Sequence, residues 1–197
     1  MKLYLAPGAC SLSEHIALHE AGIDFERIEV DLKTHRTKGG EDYTQINPKG
    51  YVPLLVLDDG QKLTENVAIL DWISHRAPKL KAPGEMGHTR QLEMLAFIST
   101  EIHKTFVRIL FPTSDAEKEQ ATAKIEKRLA YLAGQLKSNY LLGNEMTVAD
   151  AYLYVMLRWA NAKQIALPGA LTAYFERMSA RPAVKLALQH EGQDKPK

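Results

Sequence analysis

The chain changes rhythm once, between Ala77 and Gly87, and that break limits the possible folds more than any other feature. Before it, short apolar runs alternate with helix-length stretches; after it, nearly every segment has helical spacing. Leu3 to Leu5 reads as a strand, and Ser11 to Ala21 sets Leu12, Ile16, Ala17 and Leu18 at helical spacing ahead of Gly22, a natural C-cap. Phe25 to Val30 alternates as a strand does and completes a βαβ unit, whereas polar, basic Lys33 to Gly40 reads as a loop. Val52 to Leu57, the turn Asp58 to Gly60, and Gln61 to Thr64 predict a hairpin, followed by a helix from about Val67 to His75. The order βαβ then ββα predicts a mixed-sheet α/β domain.

Pro78, Pro83, Gly84 and Gly87 make the break itself a linker. Beyond it the spacing predicts helices over His88 to Leu110, Asp115 to Ser138, Val148 to Ala162 and Gly169 to Ser179, with a short one after Pro182. Thr147-Val-Ala-Asp150 matches a capping box, a folding signal rather than a substrate contact. The helix it opens is apolar around most of its circumference and should be the buried centre of the second domain. The expected division is 1–77 as an α/β domain, 78–87 as linker and 88–197 as an all-helical domain.

Composition narrows the function. A net charge of +1 gives no overall pull toward nucleic acid or an anionic membrane, so neither is an expected partner. No apolar run reaches membrane-spanning length and no leader pattern opens the chain, which makes the cytoplasm the expected compartment. No metal is called for.

Cys10 is the one cysteine in 197 residues, placed between a strand and the start of a helix. Unpaired N–H groups and the positive end of the helix dipole both favour thiolate there, so an accessible thiol with a lowered pKa is expected. A small buried hydrophobe is the other reading of a free cysteine. With Ser13 where a dithiol motif would place its partner, any second sulfur must come from another molecule.

Ala6-Pro-Gly-Ala-Cys10-Ser, Asn47-Pro-Lys-Gly-Tyr-Val-Pro53, Leu63-Thr-Glu65-Asn66, Glu101-Ile-His103-Lys104 and Thr147-Val-Ala-Asp-Ala-Tyr152 fall in an order and spacing that resembles the bacterial beta-class glutathione transferases across essentially the whole chain. The resemblance implies a thioredoxin-like N-terminal domain, an all-helical C-terminal domain carrying the electrophile pocket, and a homodimer. It implies glutathione as co-substrate, attacking small hydrophobic electrophiles, with glutathione-dependent disulfide reduction through Cys10 as a second chemistry. Cys10 and His103 would be the catalytic pair. Tyr51, Val52 and Pro53 would meet the peptide part of glutathione, the Val52-Pro53 bond being cis and exposing the Val52 backbone. Glu65 and Asn66, at a helix start, would hold its γ-glutamyl end.

His103 shares a helical face with Ala96, Ser99, Thr100 and Phe106, and this face with Lys104 would form the wall opposite Cys10. Ala96 stands where the family often has a hydrogen-bonding Asn, and His35, with Lys33 nearby, where it often has Lys; both departures predict altered glutathione affinity. Ser11 is an open alternative to Cys10 as partner of the glutathione sulfur, while Tyr4 is expected to be packed. A second function of another class is a non-enzymatic scaffold that binds a protein or hydrophobic ligand on the same fold.

Overall fold

The computed structural model describes residues 1–194; residues 195–197, the end of the expected helical domain, lie outside the described residues. Its first part is a five-stranded sheet in the order β3-β2-β1-β4-β5. Strand β1 (Lys2–Leu5) runs parallel to β2 (Glu26–Asp31) through α1 (Leu12–Ala21), and antiparallel to β4 (Leu54–Val56), which hairpins into β5 (Lys62–Thr64). The stretch read as a loop holds a two-residue strand, β3 (Arg36–Thr37), and is followed by a single-turn helix, α2 (Tyr43–Ile46). Helix α3 (Asn66–Arg76) closes the unit, and a 3₁₀ turn at Pro78–Leu80 occupies the linker.

Alternation along β1 sorts its side chains between two layers. Leu3 and Leu5 join the main core with Leu12, Ile16, Ile69 and Ile73 of α1 and α3. Tyr4 turns to the other face and packs with Val30, Tyr43, Val52 and Leu54, its ring 5.6 Å from that of Tyr43. Tyr4 is therefore packed, as expected. With Leu3 fully buried, truncating it to Ala would cost about 2–5 kcal/mol.

The second part is helical: α4 (Gly87–Phe97), α5 (Lys104–Leu110), α6 (Asp115–Gln135), α7 (Val148–Ala162), α8 (Gly169–Ser179) and α9 (Pro182–His190). The expected helix over 88–110 is interrupted by a π-helical segment, Ile98–His103. Every residue of α7 from Val148 to Leu157 is buried, so this helix is the centre of the domain. Asp150 reaches back to the Thr147 backbone N–H at 2.8 Å and also accepts from Tyr174 Oη at 2.9 Å, which ties the capping box to α8.

Helix α1 packs on α7 and α9, and specific polar contacts fix that seam. Arg181 holds the Glu20 carboxylate bidentately at 2.6 and 2.8 Å. Gly8, at φ 74°, donates its N–H to Glu191 Oε2 at 2.8 Å and accepts from Trp159 Nε1 at 2.9 Å. Two helical-domain side chains thus grip the loop that leads into Cys10.

Candidate active site

The Cys10 end of the site is dry. Ser11 Oγ accepts from the Ala6 N–H at 3.2 Å and returns a bond to the Ala6 carbonyl at 3.4 Å, closing the turn between β1 and α1. That commits the Ser11 hydroxyl to backbone, and removes it as the alternative thiol partner. The Cys10 thiol donates to the Val52 carbonyl, with Sγ 3.6 Å from the oxygen, beside the cis Val52-Pro53 bond. Asn66, the first residue of α3, donates its side-chain amide to the Cys10 carbonyl at 3.2 Å, Ser13 Oγ at 3.0 Å and Glu14 Oε2 at 3.2 Å.

This geometry corrects the expected thiolate. Burial pushes the Cys10 thiol up to about 12, with the neighbouring Glu14 carboxyl adding to the rise. Asn66 and the backbone N–H groups of Cys10 and Ser11 act in the opposite direction and are outweighed. The helix terminus is present, but desolvation at a fully packed position is the larger effect. Glu14 is itself fully buried and raised to about 8 by desolvation, so its carboxyl is protonated at neutral pH.

Charge defines the other end. Glu65 precedes α3 with φ 70°, a left-handed conformation that costs a non-glycine residue about 1–3 kcal/mol and recurs where function demands it. Its carboxylate accepts from Lys49 Nζ at 2.7 Å and from the Tyr51 hydroxyl at 2.6 Å. Those two bonds hold Glu65 below the usual carboxylate range, and Lys104 adds a further positive field. Asn47 Nδ2 and the Tyr43 hydroxyl both donate to the Tyr51 carbonyl, at 2.8 and 2.9 Å, which fixes the backbone between Glu65 and Cys10.

The helical wall carries His103, at the end of the π segment. Its Nδ1 shares a 2.7 Å hydrogen bond with the Tyr152 hydroxyl, and its ring lies edge-on to Trp159 at 5.2 Å. Burial lowers His103 to about 4, with the Lys104 charge contributing, so the imidazole is neutral at physiological pH. Tyr152 is raised by burial, with Cys10 adding to the rise. His103 makes no hydrogen bond to Cys10 among the described residues.

Several expected contacts fall differently. Phe106 is fully buried with its edge on Trp159, a core residue rather than a wall residue. Thr100 is exposed and spends its hydroxyl on the Ala96 carbonyl at 3.0 Å. The π segment breaks regular spacing between Ala96 and Lys104, while Phe106, one turn beyond His103 in regular α5, shares the contact with Trp159 but lies in the core. Ser99 remains close enough to bear on the Tyr152 hydroxyl. The Asn66 side chain faces inward rather than toward a ligand. Lys33 is exposed, with its backbone N–H on Asp31 Oδ1, while His35, at φ 52°, lies against Gly50 in the loop leading to Tyr51. Lys49, Glu14, Tyr152 and Trp159 belong to the site's framework and were not singled out. Lys49 and Tyr152 carry the available signals, their places inside Asn47-Pro-Lys-Gly50 and Thr147-Val-Ala-Asp-Ala-Tyr152.

A model of the glutathione S-transferase N-terminal domain matches residues 1–75, and one of the C-terminal domain matches residues 94–182. The chain is 43% identical to glutathione S-transferase GstA of Escherichia coli O157:H7, covering 98% of this chain and 99% of that one. A sphingomonad glutathione S-transferase complexed with glutathione superposes with a TM-score of 0.90 at 44% identity, covering 98% and 99% of the two chains. The bacterial beta-class enzyme of Sphingomonas chungbukensis gives 0.89 at 40% identity, over 98% and 100%. The chain belongs to the glutathione S-transferase family, with the bacterial beta-class members among its relatives. No helix among the described residues is long and apolar enough to cross a membrane.

Proposed function

We propose that the protein conjugates the glutathione thiolate to small hydrophobic electrophiles, with residues 1–77 holding glutathione and residues 88–197 the electrophile. The observation that carries this reading is the Cys10 thiol donating to the Val52 carbonyl beside the cis bond. A bound peptide that pairs with the Val52 backbone brings its own sulfur to the same thiol. Glu65, with Lys49 and Tyr51, supplies the charged end for the γ-glutamyl group. Cys10 then acts as a hydrogen-bond donor that stabilises the glutathione thiolate, and His103 with Tyr152 forms the opposite wall.

The raised Cys10 pKa ranks the two chemistries. Attack on a disulfide needs a Cys10 thiolate, which burial disfavours, whereas donation to a neighbouring thiolate needs the protonated form. Conjugation is therefore the main activity and mixed-disulfide exchange the minor one. The functional unit is a homodimer in the cytoplasm; exposed Met86 at the end of the linker, with Phe111 and Tyr131 on the helical part, offers apolar surface for pairing.

The test is turnover of an aryl halide with glutathione by wild type and Cys10→Ala. Loss of one donor should lower kcat/KM on the order of tenfold and raise the apparent pKa of its pH profile, because the glutathione thiolate loses a partner. Neither retention on immobilised glutathione nor turnover in the wild type would instead support the scaffold reading.

A further inference from the structure

On the far side of α1 from Asn66, three histidines meet across the seam between the two parts of the chain. His15 and His19 stand one helical turn apart on α1, and His190 ends α9. One ring nitrogen of each lies within 4.8 Å of the other two. His19 Nε2 and His190 Nδ1 are 3.3 Å apart. Ligands about 2.0–2.1 Å from a tetrahedral zinc ion are separated by about 3.3 Å, so these two nitrogens already span one edge of such a site.

His15 supplies the independent sign. It is fully buried, its Nδ1 lies 2.8 Å from Glu191 Oε1, and its Nε2 finds no partner among the described residues. A carboxylate on Nδ1 fixes the tautomer that leaves Nε2 as a free lone pair, the arrangement that orients histidine ligands toward a metal. A buried lone pair without a donor is otherwise a cost. The His15 ring stacks on His190 at 5.6 Å and 14°, and Phe25 packs its edge against His15 at 5.6 Å. A recess of about 550 Å³ lined by His15, His190, Glu191, Phe25 and Arg27 gives access.

We propose that His15, His19 and His190 form a site for a borderline divalent cation of the zinc type, with Glu191 as the carboxylate that orients His15. The set is three imidazoles, which suits Zn2+ over the harder Mg2+ or Ca2+. Arg27 opposes the bound charge and buried Glu191 offsets it. Glu191 also accepts the Gly8 N–H, so the cation braces the loop that carries Cys10 while standing apart from the proposed glutathione contacts. Sequence reading called for no metal because His190 lies 171 residues from His19.

Titration of chelator-treated protein with ZnCl2, followed by calorimetry and by thermal unfolding, tests the site. One Zn2+ per chain should bind and raise the unfolding temperature. His190→Ala, at an exposed position, and His19→Ala should each weaken binding at least tenfold while unfolding like the metal-free wild type. Cys10→Ser and His88→Ala should bind as the wild type does, which separates the site from the thiol and from the Asp71, His75, His88 cluster. No Zn2+ binding, binding unchanged in both His19→Ala and His190→Ala, or binding lost in Cys10→Ser or His88→Ala would overturn the proposal. Cobalt(II) absorbance of tetrahedral type, present in the wild type and absent in His190→Ala, is the expected spectroscopic sign; an octahedral spectrum would contradict it.

Discussion

The two ends of the candidate site are built on opposite principles. Around Glu65 the groups are exposed and charged, Lys49 and Glu65 keeping roughly half of their side-chain surface in water. Around Cys10 they are buried and held neutral, with Glu14 and the thiol both driven toward their protonated forms. The charged end can capture a zwitterionic peptide because its ions remain adaptable and their mutual attraction is weak in water. The dry end works the other way, because a single S–H donor counts for more where water is excluded. On the proposed reading, recognition and chemistry are separated along the stretch from Tyr51 to Pro53.

The largest expected effect tests the charged end. Glu65→Ala should raise the Michaelis constant for glutathione about 10- to 100-fold, the loss of a charge-assisted bond, while kcat changes little. Stability should hardly move, since the Lys49 pair is exposed; Glu65→Gly, which tolerates φ 70°, should be at least as stable as Glu65→Ala. An unchanged Michaelis constant would sever this end from binding.

At the dry end the effect should fall on folding first. Asn66→Ala removes one amide that serves three buried acceptors, and chemical denaturation should show a loss of about 2 kcal/mol. A stability equal to wild type together with a raised glutathione constant would return Asn66 to the role of ligand contact.

A pH-dependent effect sharpens the contrast. The Glu14 carboxyl is raised from 4.5 to about 8 on folding, so the folded state holds a proton that the unfolded state releases over that interval. Its contribution is complete below pH 4.5 and is lost as pH rises through about 8. His103, lowered from 6.5 to about 4, works in the opposite sense, stabilising above 6.5 and losing that contribution as pH falls toward 4. Glu14→Gln mimics the protonated carboxyl and leaves His103 in place. The stability of wild type relative to Glu14→Gln should therefore decline from pH 4.5 to 8 and level off above; a flat difference would mean that Glu14 is not held protonated.

Sequence patterning made the charged end and the fold legible for local reasons. The βαβ and ββα order follows from apolar periodicity, and Glu65 and Tyr51 stand within recognisable runs. Strand β3 and helix α2 were not legible because two and four residues carry no period. The π segment was invisible for a related reason: spacing arguments assume 3.6 residues per turn. Spacing did put Phe106 on the face of His103, where both meet Trp159, but it carries no measure of depth, and Phe106 is in the core. The dry end depends on long-range closure. Glu14 is neutral because burial outweighs the hydrogen bonds it receives from Asn66 and Ser13, and Gly8 is held by Trp159 and Glu191 from the other part of the chain. A helix-terminus argument sees only the local field at Cys10; desolvation requires knowing what packs on it.

Because Cys10 is the only thiol in the chain, its ionisation can be read directly from thiolate absorbance as pH is raised in the glutathione-free protein, with Cys10→Ala as blank. With the thiol pushed up to about 12 by burial, no absorbance step should appear below pH 9 while the protein remains folded, and alkylation at neutral pH should be slower than that of free glutathione. A thiolate step centred below pH 8 would contradict a dry, protonated Cys10 and restore the helix terminus as the dominant influence.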